Sequence, residues 1–327
     1  MGSNGGGIGL KGGMGEMKTT VLVTGGCGFI GTWVLKELLR RGAAAVALDV
    51  GGRPERWERV LGVDAQRVPL VTGSLLDRQM VARLFQDHNI THVIHLAALL
   101  TPACHADPWL GCQVNVMGSL ALFEEARARG NQVKGFAYAS SVAAFGEAVN
   151  SNASGTTVIP PTFYGVFKQT VEHLAHQYWR HFGIPSLGIR PQVAYGPERE
   201  VGLTAGPSVA ARAVALGQNY EIGYTGSVGY DYVEDVALAF VLGALQPPRG
   251  ALTADLTGEF ADITDVLRLL EAAAPGSPGV RTARGPVVPA ITPENPSPVA
   301  KLYPGWQTTS LADGLRRTVA YYQQRGA

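Results

Sequence analysis

The sequence predicts an α/β fold, namely a doubly wound parallel sheet followed by a smaller C-terminal lobe. Up to residue 190, short runs rich in Val, Leu and Ala alternate with stretches whose apolar residues recur at helical spacing. The apolar runs are continuous, which is typical of strands that helices cover on both faces. Alternation of strands and helices favours right-handed crossovers and a parallel sheet. A chain of 327 residues is also long for one simple core, which favours two lobes.

The elements follow in order along the chain. We predict strands at residues 20–24, 44–49, 67–72, 92–97, 133–140 and 186–190. We predict helices between them at residues 31–41, 76–88, 110–129 and 163–182. Beyond residue 190 glycine and proline become frequent, and shorter helices are expected at residues 206–216 and 262–274. Ser310 is expected to cap a last helix that runs to Gln324.

This pattern predicts the division of the chain. Residues 1–16 are mostly glycine and are interpreted as a disordered leader. Residues 17–190 are expected to form the sheet domain and residues 191–327 mainly the smaller lobe. The segment at about 228–245 is expected to return to the sheet domain.

Composition excludes several classes of partner. Hydrophobic residues make up 46% of the chain and the formal net charge is +1, so no basic surface indicates binding to nucleic acid or to a membrane. The longest apolar runs, such as residues 93–100, are too short to span a bilayer. Cys27, Cys104 and Cys112 suit a reducing compartment, and their spacing matches no zinc or disulfide framework. We therefore expect a cytoplasmic protein without a metal site that acts on a small molecule.

A glycine-rich turn follows the first strand, in the run Thr24 to Gly31. Gly25 permits a tight turn, Gly28 lets the backbone approach a pyrophosphate, and Gly31 permits close contact between strand and helix. Asp49 ends the next strand, where its carboxylate would accept hydrogen bonds from the adenosine ribose and repel a 2′-phosphate. The turn predicts a Rossmann-like domain that binds NAD rather than NADP, a preference that the nearby Arg53 would partly offset. The alternative is a tight turn without a ligand.

A second motif places a hydroxyl, a phenol and an ammonium near one another. Tyr164 and Lys168 are four residues apart and therefore share one face of a helix, while Ser140 and Ser141 end the preceding strand. Free tyrosine has a pKa of about 10. We expect the Lys168 ammonium and an oxidised nicotinamide ring to lower this pKa, so that Tyr164 becomes a proton acceptor. The alternative is an ordinary amphipathic helix.

From about residue 21 to residue 235 the chain resembles the extended short-chain dehydrogenase/reductase superfamily, the NAD-dependent epimerase/dehydratase family. The resemblance is carried, in order, by TGGCGFIG at 24–31, HLAA at 95–98, VNVMG at 114–118, the Ser141, Tyr164 and Lys168 set, RP at 190–191, YGP at 195–197 and DYVEDVA at 231–237. It implies that Ser141, Tyr164 and Lys168 are catalytic and that Asn115 has a structural part in the active site. The cofactor-binding residues expected from the motifs and the resemblance are Gly25, Gly28, Phe29, Ile30, Gly31, Asp49, Ser74, Leu75, Leu96, Ala97, Ala98, Asn115, Tyr164, Lys168, Pro191 and Val193.

Departures from the family pattern bear on the substrate. Val228 and Gly229 stand where nucleotide-sugar members commonly carry an Arg-Asp pair, and Val193 stands where they carry an asparagine. Ser74-Leu75 replaces the usual Asp-hydrophobic pair. These changes favour an NAD-dependent oxidoreductase that acts at a secondary alcohol or ketone of a small, polar, sugar-like compound. An NAD-containing sugar or nucleotide-sugar epimerase is the alternative, and a sensor of NAD(H) without turnover is a third.

The resemblance also implies a homodimer. In that family the helices that correspond to residues 110–129 and 163–182 pair across a two-fold axis as a four-helix bundle. The apolar contacts are expected from Phe123, Leu174, Tyr178 and Trp179.

Overall fold

The computed structural model of the chain describes residues 19–152, 155–278, 281–288, 290–292 and 296–325. The expected leader at residues 1–16 lies outside the described residues.

The described residues form strands and helices in the following order. The strands are β1 (Thr20–Thr24), β2 (Ala44–Asp49), β3 (Leu70–Thr72), β4 (His92–His95), β5 (Gly135–Ala139), β6 (Glu147–Asn152), β7 (Gly155–Ile159), β8 (Ser186–Arg190), β9 (Val193–Tyr195), β10 (Tyr220–Ile222), β11 (Ser227–Tyr232), β12 (Ala251–Asp255), β13 (Glu259–Asp262) and β14 (Arg281–Ala283). The helices are α1 (Phe29–Arg40), α2 (Glu55–Leu61), α3 (Arg78–Asp87), α4 (Thr101–Ala106), α5 (Pro108–Cys112), α6 (Gly118–Arg129), α7 (Phe163–Phe182), α8 (Gly206–Ala215), α9 (Val233–Leu245), α10 (Ile263–Ala273), α11 (Val299–Leu302) and α12 (Leu311–Gln323).

The main sheet is parallel and has seven strands in the order β12-β8-β5-β4-β1-β2-β3. The change of direction beside β1 is that of a doubly wound sheet, so the predicted fold class is confirmed. The prediction omitted β12, which pairs with β8 from Ala251 opposite Ser186 to Asp255 opposite Arg190. Its Leu252 is exposed and Thr253 interrupts its apolar residues, so this edge strand lacks the continuous apolar run of a central strand.

Helices cover both faces of the main sheet. Successive side chains of a strand point to opposite faces, so Val21 and Val23 pack with α1 and α9, whereas Leu22 packs with α3, α6 and α7. The chain returns to this sheet through α9 and β12 after it has formed part of the smaller lobe. That lobe contains the sheet β13-β11-β9, the pair β10-β14, and α8, α10 and α12.

Helix α6 and helix α7 pack against each other through aromatic rings. Phe123 stacks on Phe136 at 4.2 Å between ring centroids and on Tyr178 at 5.0 Å. Phe123 and Tyr178 are therefore buried inside the protomer. The expectation that these two side chains contact a partner is wrong, because they already fill the space between α6, α7 and β5.

The predicted helix at residues 110–129 is interrupted. It consists of α5, one π-helical turn at Gln113–Met117, and α6. Turns of this kind occur frequently at functional sites. Asn115 lies at the centre of the turn and is buried.

The hairpin of β6 and β7, between β5 and α7, was not predicted either.

Candidate active site

The glycine-rich turn joins β1 to α1 in the way that its sequence predicts. Gly25 has a φ of 69°, and a Cβ atom on it would lie 2.8 Å from the backbone nitrogen of Ala97. Gly31 packs directly on the turn, where a side chain would collide with the carbonyl oxygen of Gly25. Helix α1 begins at Phe29, and its first turn carries no acidic residue. The turn therefore leaves room for a ligand beside the positive end of a helix dipole.

Asp49 lies at the end of β2 beside this turn. Its Oδ2 accepts a hydrogen bond from the backbone N–H of Cys27 at 3.0 Å, and its Oδ1 accepts one from Gly51 at 3.2 Å. These bonds fix the carboxylate next to the glycine turn. The burial of Cys27 and the nearby carboxylate together raise the pKa of the Cys27 thiol to about 11, so this cysteine is uncharged at neutral pH.

Arg53 is bound to backbone carbonyls near the glycine turn. Its guanidinium donates to the carbonyl oxygens of Ala65 and Val68 at 2.6 and 3.1 Å and lies over the ring of Trp57. Trp57 in turn donates from its indole N–H to the carbonyl of Gly26 at 3.1 Å. Arg53 thus supports the wall of the glycine turn, and its engagement with these carbonyls favours the predicted preference for NAD.

A mainly apolar groove with a volume of about 300 Å³ lies at the carboxyl ends of β1 to β4. The expected cofactor residues that line it are Gly25, Gly28, Asp49, Ser74, Leu75, Leu96, Ala97 and Ala98. The residues that line it without having been predicted are Leu48, Val50, Gly73, Leu76, Leu99 and Val114. Most of these follow or end a strand, which is the signal that would have identified them. An apolar groove with one carboxylate at its edge fits the adenosine half of NAD.

Phe29 and Ile30 form the first residues of α1, beside the glycine turn. Their side chains pack toward the core between α1 and the main sheet. Any contact with a phosphate would come from their backbone N–H groups, because the first N–H groups of a helix have no partner within it.

A buried histidine connects the strands that border the groove. His95 bonds to Thr24 Oγ1 through Nδ1 at 2.7 Å and to Ser119 Oγ through Nε2 at 2.9 Å. Burial lowers the pKa of His95 to about 3, so the imidazole is neutral. The imidazole thus fixes β1, β4 and α6 relative to one another.

Asn115 is engaged with the loop after β4. Its Oδ1 accepts from the Leu99 N–H at 2.7 Å, and its Nδ2 donates to the Leu99 carbonyl at 2.9 Å and to Cys104 Sγ at 3.4 Å. Both ends of the amide are used in this way. Asn115 therefore shapes the loop that borders the groove.

Ser141, Tyr164 and Lys168 come together beside the end of β5. A side-chain hydrogen bond joins Ser141 to Tyr164. Lys168 is 6% exposed, and its Nζ donates to the carbonyl of Ala139 at 2.6 Å and lies 5.4 Å from the centroid of the Tyr164 ring. Gly165 packs on the Ala143 carbonyl so closely that no side chain fits, which brings α7 against the turn that carries Ser141.

The pKa of Tyr164 differs from the expectation. Burial raises it to about 12, and the hydrogen bond from Ser141 offsets only part of this effect. Burial also lowers the pKa of Lys168 to about 8. Lys168 lies over the face of the phenol and donates to Ala139, so it does not act directly on the phenol oxygen. The expected lowering of the Tyr164 pKa by Lys168 is therefore not found.

A network of charged and polar side chains behind Ser141, Tyr164 and Lys168 was not predicted. Glu172, one turn after Lys168 on α7, accepts from Ser140 Oγ and also, at 2.6 and 2.7 Å, from the Arg190 guanidinium. Arg190 also reaches Asp255 of β12 at 3.5 Å. This network ties β5, α7, β8 and β12 together directly beside Ser141.

Pro191 and Val193 lead from the sheet to the smaller lobe. The carbonyl of Pro191 accepts from the N–H of Val142 at 3.4 Å, which places it next to Ser141. Val193 begins β9 and pairs with Tyr230 of β11.

Within the part of the chain that the structure describes, no group of three or more His, Cys, Asp or Glu side chains is arranged to hold a metal ion.

Comparison with known proteins agrees with this geometry. The sequence profile of the NAD dependent epimerase/dehydratase family matches residues 21–253. The chain is 34% identical to D-erythronate dehydrogenase of Cupriavidus necator over 187 residues, which is 52% of this chain and 56% of that protein. It is 35% identical to UDP-glucose 4-epimerase of Erwinia amylovora over 167 residues, which is 49% of this chain and 48% of that protein. The chain thus spans about half the length of the curated relatives it matches.

A solved structure extends the similarity to nearly the whole fold. UDP-glucose 4-epimerase of Thermus thermophilus, in complex with NAD, superposes with a TM-score of 0.76 and 28% identity. The match covers 94% of this chain and 100% of that one. Because the family profile covers more than half of the chain, and the glycine turn, Asp49 and the apolar groove fit its cofactor, this chain belongs to the NAD dependent epimerase/dehydratase family.

Proposed function

We propose that this chain is an oxidoreductase that transfers hydride between NAD and a secondary alcohol or ketone of a small, polar, sugar-like substrate. The observation that carries the proposal is the grouping of Ser141, Tyr164 and Lys168 at the end of β5, close to the groove that fits NAD. When bound, NAD would supply the hydride acceptor.

The chain's own residues handle the proton and the substrate oxygen. In the oxidation direction Ser141 donates a hydrogen bond to the substrate oxygen, and Tyr164 as phenolate takes the proton of the hydroxyl group. The hydrogen on the carbon leaves with its electron pair, so that a carbonyl forms. Lys168, anchored on Ala139, maintains a positive field over the phenol and would hydrogen-bond the nicotinamide ribose.

The smaller lobe supports a substrate without a nucleotide. Val228 is buried, and a Cβ atom on Gly229 would lie 2.8 Å from Cγ of Gln192. Neither residue offers the charged side chain that nucleotide-sugar members commonly carry at these places. The similarity to a protein named D-erythronate dehydrogenase favours the same class of substrate.

An epimerase that retains NAD is the second candidate. It is favoured by the similarity over the whole fold to the UDP-glucose 4-epimerase that was solved with NAD. The same Ser141, Tyr164 and Lys168 would serve both reactions. The intact catalytic group argues against a sensor without turnover.

We propose a homodimer that forms through the outer faces of α5 to α7. Leu110, Met117 and Val166 are exposed there, on segments that contact one another.

We also propose a cytoplasmic location, since Cys27, Cys104 and Cys112 are free thiols. Among the described helices, none has the length and apolarity that crossing a membrane requires.

The first experiment is to denature the purified protein, quantify the NAD released, and then screen sugars, sugar acids and hydroxy acids for formation of NADH. An empty site together with substrate-dependent NADH establishes the dehydrogenase. Stoichiometric retained NAD without net NADH supports the epimerase instead. Absence of both bound NAD and turnover contradicts the proposal.

A further inference from the structure

Asp231 is a buried acid of β11 that the proposed chemistry does not use. It is 2% exposed, and its Oδ2 accepts a hydrogen bond from the backbone N–H of Gln192 at 2.6 Å. The backbone N–H of Gly258 donates to the same carboxylate, and a side chain on Gly258 would collide with Oδ1. The carboxylate is therefore held from two directions by backbone groups.

The N–H that Asp231 binds belongs to the peptide group between Pro191 and Gln192. The carbonyl oxygen of this same peptide group accepts a hydrogen bond from the N–H of Val142 at 3.4 Å. A peptide group is planar and turns as one unit, because its C–N bond has partial double-bond character. Asp231 of the smaller lobe and Val142 of the sheet domain therefore bind the two polar ends of one rigid group.

Ser141 lies between two backbone anchors that come from one segment of the chain. The N–H of Ser140 donates to the carbonyl of Ile189 at 2.8 Å, and the N–H of Val142 donates to the carbonyl of Pro191. The first anchor continues the pairing of β5 with β8, whereas the second depends on how the Pro191 carbonyl is oriented. The position of the Ser141 turn is therefore sensitive to the group that orients this carbonyl.

A buried carboxylate is unfavourable unless strong hydrogen bonds compensate for its lost hydration. Its hydrogen bonds from N–H groups are shorter and stronger than those of a neutral acceptor, so it fixes the orientation of the donors more firmly. We propose that Asp231 is a positioning residue, which orients the Pro191–Gln192 peptide and through it holds the Ser141 hydroxyl in place against the substrate oxygen. This inference rests on the proposed function.

Protonation of Asp231 should weaken this arrangement. Burial raises its pKa to about 7, and the hydrogen bonds from the two N–H groups offset only part of the rise. The ionisable groups that surround Tyr195 of β9 together with Asp231 are Tyr232 of β11, Asp235 of α9 and Glu259 of β13, none of which is a cation. Below about pH 7 the carboxyl carries a proton, so one of its oxygens presents a hydrogen to an N–H donor.

The test uses Asp231→Asn in the full chain, alone and combined with Ser141→Ala. An amide has one oxygen acceptor, so Asp231→Asn reproduces the neutral form without changing the size of the side chain. The control is Asp313→Asn, which neutralises an exposed carboxylate paired with Arg316 on α12. Turnover is measured at pH values on both sides of 7 with NAD and gluconate or glucose, followed as NADH, and with UDP-glucose, followed as UDP-galactose.

We expect kcat of the wild type and of Asp313→Asn to fall as the pH is lowered through about 7, and Asp231→Asn to lack this step. Tyr164 titrates in all three proteins, so it does not account for the difference. Above pH 7, Asp231→Asn should lower kcat about tenfold, because a small misplacement of a reacting group causes a loss of this size. In the Ser141→Ala background the same change should lower kcat less than about twofold, because the group that Asp231 positions is already gone.

Hydrogen exchange measures the link to the Ser141 turn without a substrate. Above pH 7 the amide of Val142 should exchange at least about tenfold faster in Asp231→Asn than in the wild type, whereas below pH 7 the two proteins should exchange alike. Mass spectrometry of the peptide that contains Val142 gives these rates. If Asp231→Asn does not fold, the exchange of the wild type on both sides of pH 7, corrected for the intrinsic rate, decides.

Two outcomes overturn the inference: an equal kcat in the wild type and Asp231→Asn above pH 7, or an equally large loss in the Ser141→Ala background. Failure of the proposed function has a different signature. If no compound is turned over while the exchange of Val142 still depends on Asp231, the reaction is wrong and the link to the Ser141 turn stands. If a compound is turned over and Val142 exchanges alike in both proteins, the reaction stands and the link is wrong.

Discussion

Tyr164 is the residue on which the proposed chemistry depends most directly. In the proposed mechanism its phenol is the proton acceptor, whereas the groove that fits adenosine lies on β1 to β4. We therefore expect Tyr164→Phe to leave NAD binding nearly intact and to lower kcat by at least about a hundredfold, because a general base is lost. Steady-state kinetics and calorimetric titration with NAD measure the two effects.

Tyr220→Phe is the matched control for this variant. Tyr220 begins β10 in the smaller lobe, away from the main sheet, and its substitution should leave kcat unchanged. Unchanged turnover in Tyr164→Phe would remove Tyr164 from the mechanism.

Asp49 should determine the preference between the two nicotinamide cofactors. Its carboxylate is fixed by two backbone N–H groups at the edge of the groove, where it would repel a 2′-phosphate. We expect Asp49→Ala to lower the ratio of kcat/KM measured with NAD to kcat/KM measured with NADP. The control is Asp64→Ala, which removes an exposed carboxylate that pairs with Arg67. A wild type that prefers NADP would contradict this interpretation.

Lys168 should give the stability of the protein a distinct dependence on pH. Burial lowers its pKa from 10.5 to about 8, so between these values the folded chain binds fewer protons than the unfolded chain. The free energy of unfolding of the wild type should therefore rise with pH in this window, relative to Lys168→Met, by up to about 1.4 kcal/mol per pH unit.

Urea unfolding of both proteins at several pH values measures this difference. The same substitution at Lys301, which is exposed on α11, is the control. A difference that stays constant from pH 8 to pH 10.5 would show that Lys168 is not held in a buried state.

At the scale of elements, the outer face of α5 to α7 is the proposed contact between protomers. Leu110 and Val166 are exposed on it, whereas Phe123 is fully buried behind it. We expect the wild type to sediment as a dimer at micromolar concentration and the double variant Leu110→Lys, Val166→Lys to sediment as a monomer, because two buried charges would oppose association. Val63→Lys, at another exposed position, should remain a dimer. A monomeric wild type would reject this interface.

Elements with strong local signals could be predicted from the sequence. β1, β2, β8 and α7 have the predicted bounds, because an apolar run or a helical period ends at a turn signal in each case. The π turn at Gln113–Met117 was missed, since it preserves the apolar pattern and changes only the hydrogen bonding of the backbone. β12 was missed because its assignment depends on pairing with β8 rather than on its own composition.

The same distinction applies to the candidate site. Ser141, Tyr164 and Lys168 could be predicted to meet, because each stands at a fixed position relative to the end of β5 or the face of α7. The network of Glu172, Arg190 and Asp255 could not, because Asp255 follows Arg190 by 65 residues and reaches it only through the pairing of β12 with β8.

At the scale of the whole molecule, the path of the chain through the smaller lobe before β12 has a consequence for biosynthesis. β8 is the edge of the main sheet until β12 arrives, and the two strands are 65 residues apart. At about 5–20 residues per second, a ribosome leaves that edge unpaired for roughly 3 to 13 seconds. An unpaired edge can add a strand from another nascent chain. Each growing chain therefore passes through an interval that is open to aggregation, and this interval ends only when Ala251–Asp255 closes the sheet.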